Sequence, residues 1–359
     1  MGGDGADRRV HAVPPALVER ARRLAAGEMV PATPRYASTV VLLRDGAASR
    51  VDAEGSLDAG GSLDAGDRSV AEDGGEGGPG SAGADSVGSA AGAGGVAGTQ
   101  RSLEVYVLRR RTTMAFAPGM YAFPGGSVDA RDADEEVAWA GPDPSEWARL
   151  LGFSDVRLAR ASVCAAVRET FEESGVVLAG PTAASVVADA TGPDWEQDRV
   201  ALLGRELSFG ALLRRRGLVL RSDLLAAWDH WVTPRVEERR FDTRFFLAAL
   251  PPGQRTREIA DEADRLTWIR PGDALAAVER GEMNMLPPTY HTLAALTKAR
   301  DVKAALTMAA TREIRPIMPT VALDSATGDS DHSDESDHSG ASWVLPDPGE
   351  TDHNEGVLR

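Results

Sequence analysis

A single cysteine, Cys164, in 359 residues leaves no partner for an intrachain disulfide, and a reducing compartment, the cytoplasm, is expected. No run of 18 apolar residues occurs, which excludes a transmembrane helix of ordinary length. The opening Met1-Gly2-Gly3-Asp4-Gly5 lacks the basic-then-apolar order of a signal peptide. Positive charge is also scarce. Thirty-nine Lys and Arg stand against 55 Asp and Glu, a formal net charge of −16. That balance argues against nucleic acid as a bulk partner, and no membrane partner is expected. The cations that do occur are clustered at Arg109, Arg110 and Arg111, and again at Arg235, Arg239, Arg240 and Arg244. Such local basic stretches suit a compact anionic ligand.

Along the chain, residues 14–27 read as a short helix started by Pro14 and ended by Gly27. Tyr36 to Leu43 and Leu103 to Arg110 are rich in β-branched and apolar residues and read as strands. Between them, residues 46–100 are dominated by Gly, Ala, Ser and Asp, with a tandem Gly-Ser-Leu-Asp-Ala-Gly at 55–60 and 61–66. A stretch of that composition cannot bury enough apolar surface to order itself, so it reads as a disordered insertion in a hairpin. Further on, Leu202 to Arg216 reads as one helix with Ser208 as an internal cap. Trp228–Thr233 and Arg240–Leu250 read as paired strands, and Leu266–Ile269 as another. Pro271 and Pro287 start helices that run to Glu279 and to about Met308. Residues 321–359, rich in Asp, Ser and His, read as a disordered acidic tail. Cys164 reads as a buried inert thiol, His230 as a packing residue beside Trp231, and His291 as ambiguous.

The most informative run is Arg168-Glu169-Thr170-Phe171-Glu172-Glu173-Ser174-Gly175-Val176. Its three glutamates fall at i, i+3 and i+4, which places all three carboxylates on one face of a helix. Like charges at that spacing repel by a few tenths of a kcal/mol per pair. A hard divalent cation such as Mg²⁺, which takes oxygen ligands, reverses the sign. The helix is predicted to start from Ser154 as N-cap and to end at Gly175, with Val156, Ala159, Val163, Val167 and Phe171 as its apolar stripe. Upstream, Ala122-Phe123-Pro124-Gly125-Gly126 reads as a strand end followed by a two-glycine turn.

Together these two stretches resemble the signature of the Nudix hydrolases, which cleave nucleoside diphosphates linked to another group. The second half of the signature fits residue by residue, with Thr170 in an apolar slot. The first half departs: Asp132 stands where the family has Glu, and residues 133–167 separate it from Arg168 where the signature has seven. A box split this way is similar to the coenzyme A diphosphatase branch. So are Met114–Gly126, Trp231-Val232-Thr233-Pro234 and Leu286-Pro287-Pro288-Thr289. The resemblance implies an α/β/α sandwich around a mixed sheet. It divides the chain into an extension over 1–35, a Nudix domain over 36–320 and the tail over 321–359. Residues 133–160 form an insertion within the box, expected as a small cap near the site or a surface excursion.

The resemblance also implies roles. Glu169, Glu172 and Glu173, with the backbone carbonyl at Gly125, become ligands of Mg²⁺ or Mn²⁺, and Glu172 and Glu173 become catalytic. Glu262 becomes a further metal ligand or general base, or else a plain surface acid among Glu258, Asp261 and Asp264. Arg168 is expected to orient a carboxylate, while Gly126 and Gly175 serve the turn and the helix end. Arg110, Arg111, Arg240 and Arg244 are candidate contacts to substrate phosphate. The expected activity is hydrolysis of coenzyme A or an acyl derivative. Other nucleoside diphosphate derivatives, or a non-catalytic nucleotide-binding module, are the alternatives.

Overall fold

Strand β1 (Arg35–Asp45) organises the molecule, because Val40, Val41, Leu42 and Leu43 are all fully buried. Alternate residues of a strand face opposite sides, so a strand buried at every position needs a layer on each face. The structure, a computed structural model, describes residues 13–46, 102–114, 117–134, 136–257, 263–323 and 341–345. The insertion expected over 46–100 lies outside the described residues beyond Gly46.

The other strands are β2 (Leu103–Arg110), β3 (Tyr121–Ala122), β4 (Gly125–Ser127), β5 (Trp139–Ala140), β6 (Ala179–Gly180), β7 (Val219–Arg221), β8 (Leu225–Val232), β9 (Phe241–Ala249), β10 (Ala263–Ile269), β11 (Pro316–Ile317), β12 (Thr320–Leu323) and β13 (Ala341–Val344). The helices are α1 (Pro15–Ala25), α2 (Pro144–Leu151), α3 (Val156–Ser174), α4 (Pro193–Leu203), α5 (Phe209–Arg216), α6 (Pro271–Glu279), α7 (Pro287–Leu296) and α8 (Val302–Ala310). The main sheet runs β10-β2-β1-β9-β8-β11, with β3 on β2 and β4 on β1. It is mixed: β1 pairs parallel with β9 and antiparallel with β2 and β4.

Val40 and Leu42 join one core with Ala159, Val163, Val167 and Phe171 of α3. Val41 and Leu43 join the opposite core with residues of α6, α7 and α8. The expected α/β/α sandwich is thus present, built from the two faces of one strand. Val156 is the exception in the α3 stripe, 44% exposed at the first helical position. The cap is Asp155 rather than Ser154, its side chain accepting from Arg157 N–H, and Gly175 ends the helix at φ +74°.

Four expectations are revised. The helix read over 202–216 is two, α4 and α5. Arg205 adopts φ +59° between them, and Ser208 caps α5 by accepting from Ala211 N–H. The helix from Pro287 is likewise divided, because Asp301 caps a new helix by accepting from Ala304 N–H. The box insertion is neither a cap over the site nor a surface excursion. Its helix α2 packs on α3, and Trp147 is buried in the core, edge-on to Phe246 at 5.7 Å. Part of the tail is also ordered: β12 and β13 pair antiparallel, Val321 opposite Trp343. Residues 324–340 and 346–359 lie outside the described residues.

Histidine 230 is a packing residue. Its Nε2 lies 2.7 Å from Asp242 Oδ1, and Arg244 pairs with the same carboxylate. Burial pushes the imidazole below its usual value, against the pull of Asp242. The folded state therefore sheds a proton that the unfolded chain keeps, and stability falls as pH drops through the ordinary imidazole range near about 6.5. His230→Gln is expected to flatten the decline in Tm between about pH 7 and 5.5. Parallel Tm–pH curves for the two proteins would refute this.

Candidate active site

The site begins at the turn joining β3 to β4. Each glycine there is required by a different neighbour. A Cβ on Gly125 would lie 2.5 Å from Thr39 Oγ1 and 2.6 Å from Ser38 O, because β4 is pressed onto β1. A Cβ on Gly126 would lie 2.4 Å from Glu169 Oε1. Only a residue without a side chain lets the turn and the carboxylate approach this closely. Gly126→Ala is accordingly expected to displace Glu169 and lower turnover by tenfold or more, about 1.4 kcal/mol. Its Tm should change little, and kinetics alongside a melting curve check both halves.

The last two turns of α3 bring Glu169, Glu172 and Glu173 against that turn. Gly125 N–H donates to Glu173 Oε2 at 2.7 Å. Arg168 holds the rest together. Its Nη1 donates to Glu169 Oε1 at 2.8 Å and to Glu172 Oε2 at 3.0 Å. Its Nε and Nη2 grip the two oxygens of Asp132, both at 3.0 Å, and Nη2 also donates to Ser127 O at 2.9 Å. The bidentate partner is Asp132, at the signature's first acidic position. Asp132 is buried and also accepts from Asp129 N–H at 2.8 Å within a short 3₁₀ turn over Ala130–Ala133.

Arg168 pairs with three carboxylates, those of Asp132, Glu169 and Glu172, so the cluster carries an excess of negative charge. Burial pushes Glu169 up to about 7, with Arg168 opposing and Glu172 adding to the rise. Burial likewise raises Asp132, against the pull of Arg168. A carboxylate cluster in this condition is completed by a cation. The donors are all oxygen, which selects a hard ion. Among the described residues, no three His, Cys, Asp or Glu side chains are grouped so that they could hold a metal ion by themselves. Mg²⁺ keeps waters and is usually bound through one or two carboxylates plus substrate phosphate.

The carboxylates line a cleft of about 870 Å³. Arg110 lines it too, at the end of β2. Arg111 is exposed and does not. Arg240 and Arg244 are removed from the substrate contacts by the structure. Neither lines the cleft, and both are buried. Arg240 donates to Thr233 O and Ala32 O, and Arg244 donates to Leu151 O while lying over the ring of Phe153. Glu262 lies outside the described residues. Cys164 is buried, its thiol pushed up to about 12 by desolvation, and is inert.

Two sets of residues escaped the sequence reading. Arg199, on α4, donates through Nη1 to the backbone carbonyl of Glu172 at 3.0 Å, a cation against the last turn of α3. Arg131 and Arg205 line the cleft beside Asp129. Arg205 takes a left-handed backbone conformation, unusual for a residue with a side chain. No local motif announces either set. Only the fold brings them to the box.

A mixed-sheet α/β/α sandwich with an arginine-braced glutamate helix facing the Gly125-Gly126 pair is the arrangement of the Nudix superfamily, which this chain resembles in sequence and fold. Within that superfamily, the model of the NUDT19 Nudix domain matches residues 154–296. The chain is 27% identical over 232 residues to the acyl-coenzyme A diphosphatase NUDT19 of Gallus gallus, covering 54% of this chain and 61% of that protein. It is 28% identical over 224 residues to the Homo sapiens protein of the same name, covering 52% and 58%. The chain thus spans less than two thirds of the curated relatives it matches. A crystal structure of a Nudix hydrolase from Alicyclobacillus acidocaldarius superposes with a TM-score of 0.52 at 25% identity, covering 77% of this chain and 96% of that one.

Proposed function

We propose that the protein is a divalent-metal-dependent diphosphatase acting on a nucleoside diphosphate derivative, with coenzyme A or an acyl-coenzyme A as the substrate class. The carrying observation is the arginine-braced, oxygen-only carboxylate cluster at the floor of a deep cleft. Glu169, Glu172 and Glu173, with the Gly125 carbonyl, would hold Mg²⁺ or Mn²⁺. Such ions polarise phosphoryl oxygens and lower the pKa of a bound water. In this reading Arg168 keeps the carboxylates in register, and the Gly125 N–H orients Glu173. One of Glu172 and Glu173 would take up the proton of the attacking water. Glu262 is retained as the candidate for a further ligand or base. Water attack on the diphosphate would release adenosine 3′,5′-bisphosphate and a phosphopantetheine.

The coenzyme A assignment draws on the names of the relatives above and on the arginines at the cleft. Among the described residues no helix is long and apolar enough to cross a membrane, and a cytoplasmic setting is part of this reading. Coenzyme A carries a 3′-phosphate that its dephospho form lacks. Arg110, Arg131 and Arg205 are the cleft-lining cations placed to meet it. One charge-assisted contact is worth about 1.5–3 kcal/mol, so kcat/KM should favour coenzyme A by about tenfold or more. The test is metal-dependent turnover across coenzyme A, dephospho-coenzyme A, nucleotide sugars and dinucleotides, with products identified by mass. Equal rates on the first two would remove the coenzyme A specificity. No turnover on any of them would remove the diphosphatase reading.

A further inference from the structure

The cleft that holds the carboxylates is also lined by many apolar side chains, and some of them come from outside the segment that matches the family model. Leu17 comes from α1, Pro319 from the approach to β12, and Trp343 and Leu345 from β13 and the residue beyond it. Met120 and Met285 face them from the domain side. Trp343 lies directly across from Val321 in the β12–β13 pair, so the two share a face.

Both extensions are fastened to the domain. Helix α1 packs against β12, and Arg20 of α1 bonds to Val236 O and Glu238. Arg240 donates to Thr233 O at 3.0 Å, to Ala32 O at 2.8 Å and to Met318 Sδ at 3.5 Å. One buried guanidinium thus ties the β8–β9 loop to the chain entering β1 and the chain entering β12. It acts as a clasp, which explains its absence from the cleft.

A cleft of about 870 Å³ lies near the upper end of small-molecule sites and exceeds what a metal-bound diphosphate fills. Besides the carboxylates and the cations Arg110, Arg131 and Arg205, its lining includes aliphatic, thioether and aromatic side chains, Leu17, Met120, Met285, Trp343 and Leu345 among them. The occupant it fits is therefore an aliphatic arm on the same molecule that carries the diphosphate. We propose that the wall formed jointly by the N- and C-terminal extensions binds an aliphatic arm of the substrate, with Trp343 and Leu345 as its specificity-determining contacts. This rests on the diphosphatase reading above.

The test uses the full chain and three variants: Trp343→Ala/Leu345→Ala, Trp343→Phe, and Leu345→Met. The probes are coenzyme A and its lauroyl thioester. Steady-state kinetics are paired with titration calorimetry in metal-free buffer, so binding is read whether or not turnover occurs. The double variant is expected to raise KM and Kd for the lauroyl thioester by about tenfold, equivalent to 1.4 kcal/mol. Its kcat, and both constants for unacylated coenzyme A, should stay within about twofold, the pattern of lost uniform binding. The two conservative variants should retain most of the preference. Equal losses on both ligands, or an unchanged lauroyl Kd, would overturn the proposal. Tight, Trp343-dependent binding of the thioester without hydrolysis would uphold the wall while removing the diphosphatase reading.

Discussion

Glu172→Gln and Glu173→Gln should each lower metal-dependent turnover by at least about 10²-fold, the scale of losing one key electrostatic stabiliser. Stability should not follow. Either substitution removes one negative charge from a cluster in which Arg168 braces Asp132, Glu169 and Glu172 and Gly125 N–H holds Glu173. The glutamine oxygen can still accept the Arg168 or Gly125 hydrogen bond. Tm is therefore expected to hold or rise, the trade-off typical of a site arranged for function. Metal-free substrate should bind nearly as before. Turnover close to wild type in both variants would sink the metal-platform reading, whatever the substrate.

Arg168→Ala should fail differently. It strips the Arg168 guanidinium from the buried Asp132 and from Glu169 and Glu172, and removes its hydrogen bond to Ser127 O. Breaking a buried ion-pair network by removing one partner costs about 3–5 kcal/mol. At roughly 2–4 °C per kcal/mol for a domain of this size, Tm should fall by about 10 °C. Added Mg²⁺ should recover part of that loss, because a cation again offsets the carboxylates. Arg168→Lys should restore little, since an ammonium cannot grip both oxygens of Asp132 while reaching two glutamates. A Tm within about 2 °C of wild type would show that the network contributes little to the fold.

The parts of this site legible in the sequence are those held within one element. The i, i+3, i+4 spacing of the glutamates and the glycine that ends α3 carry their geometry locally, whereas the expected Gly-Gly turn is the start of strand β4, its glycines required by β1 and Glu169. The strands β1, β2 and β9 were similarly readable from their β-branched and apolar residues, whereas β8 begins at Leu225, three residues before the expected Trp228, and β10 at Ala263, three before Leu266. Helix continuity was less so. The apolar pattern ran through 202–216 and 287–308, and the caps at Ser208 and Asp301 divided both.

The arginines show the limit most clearly. Arg110, Arg111, Arg240 and Arg244 look alike in a list of residues, yet only Arg110 reaches the cleft. Arg240 spends its donors on a carbonyl 208 positions away, and Arg244 on one 93 positions away. Asp132 meets Arg168 across 36 positions because the intervening insertion folds back, burying Trp147 beside α3. By itself the sequence determined the class of chemistry: a helix face of three carboxylates, a glycine pair to receive it, and one arginine within reach. Tertiary structure alone decided which cation braces those carboxylates against which anion, which arginines face ligand, and that both terminal extensions wall the cleft. Those outcomes depend on side chains far apart in the chain meeting in a desolvated interior, and no local periodicity encodes such a meeting.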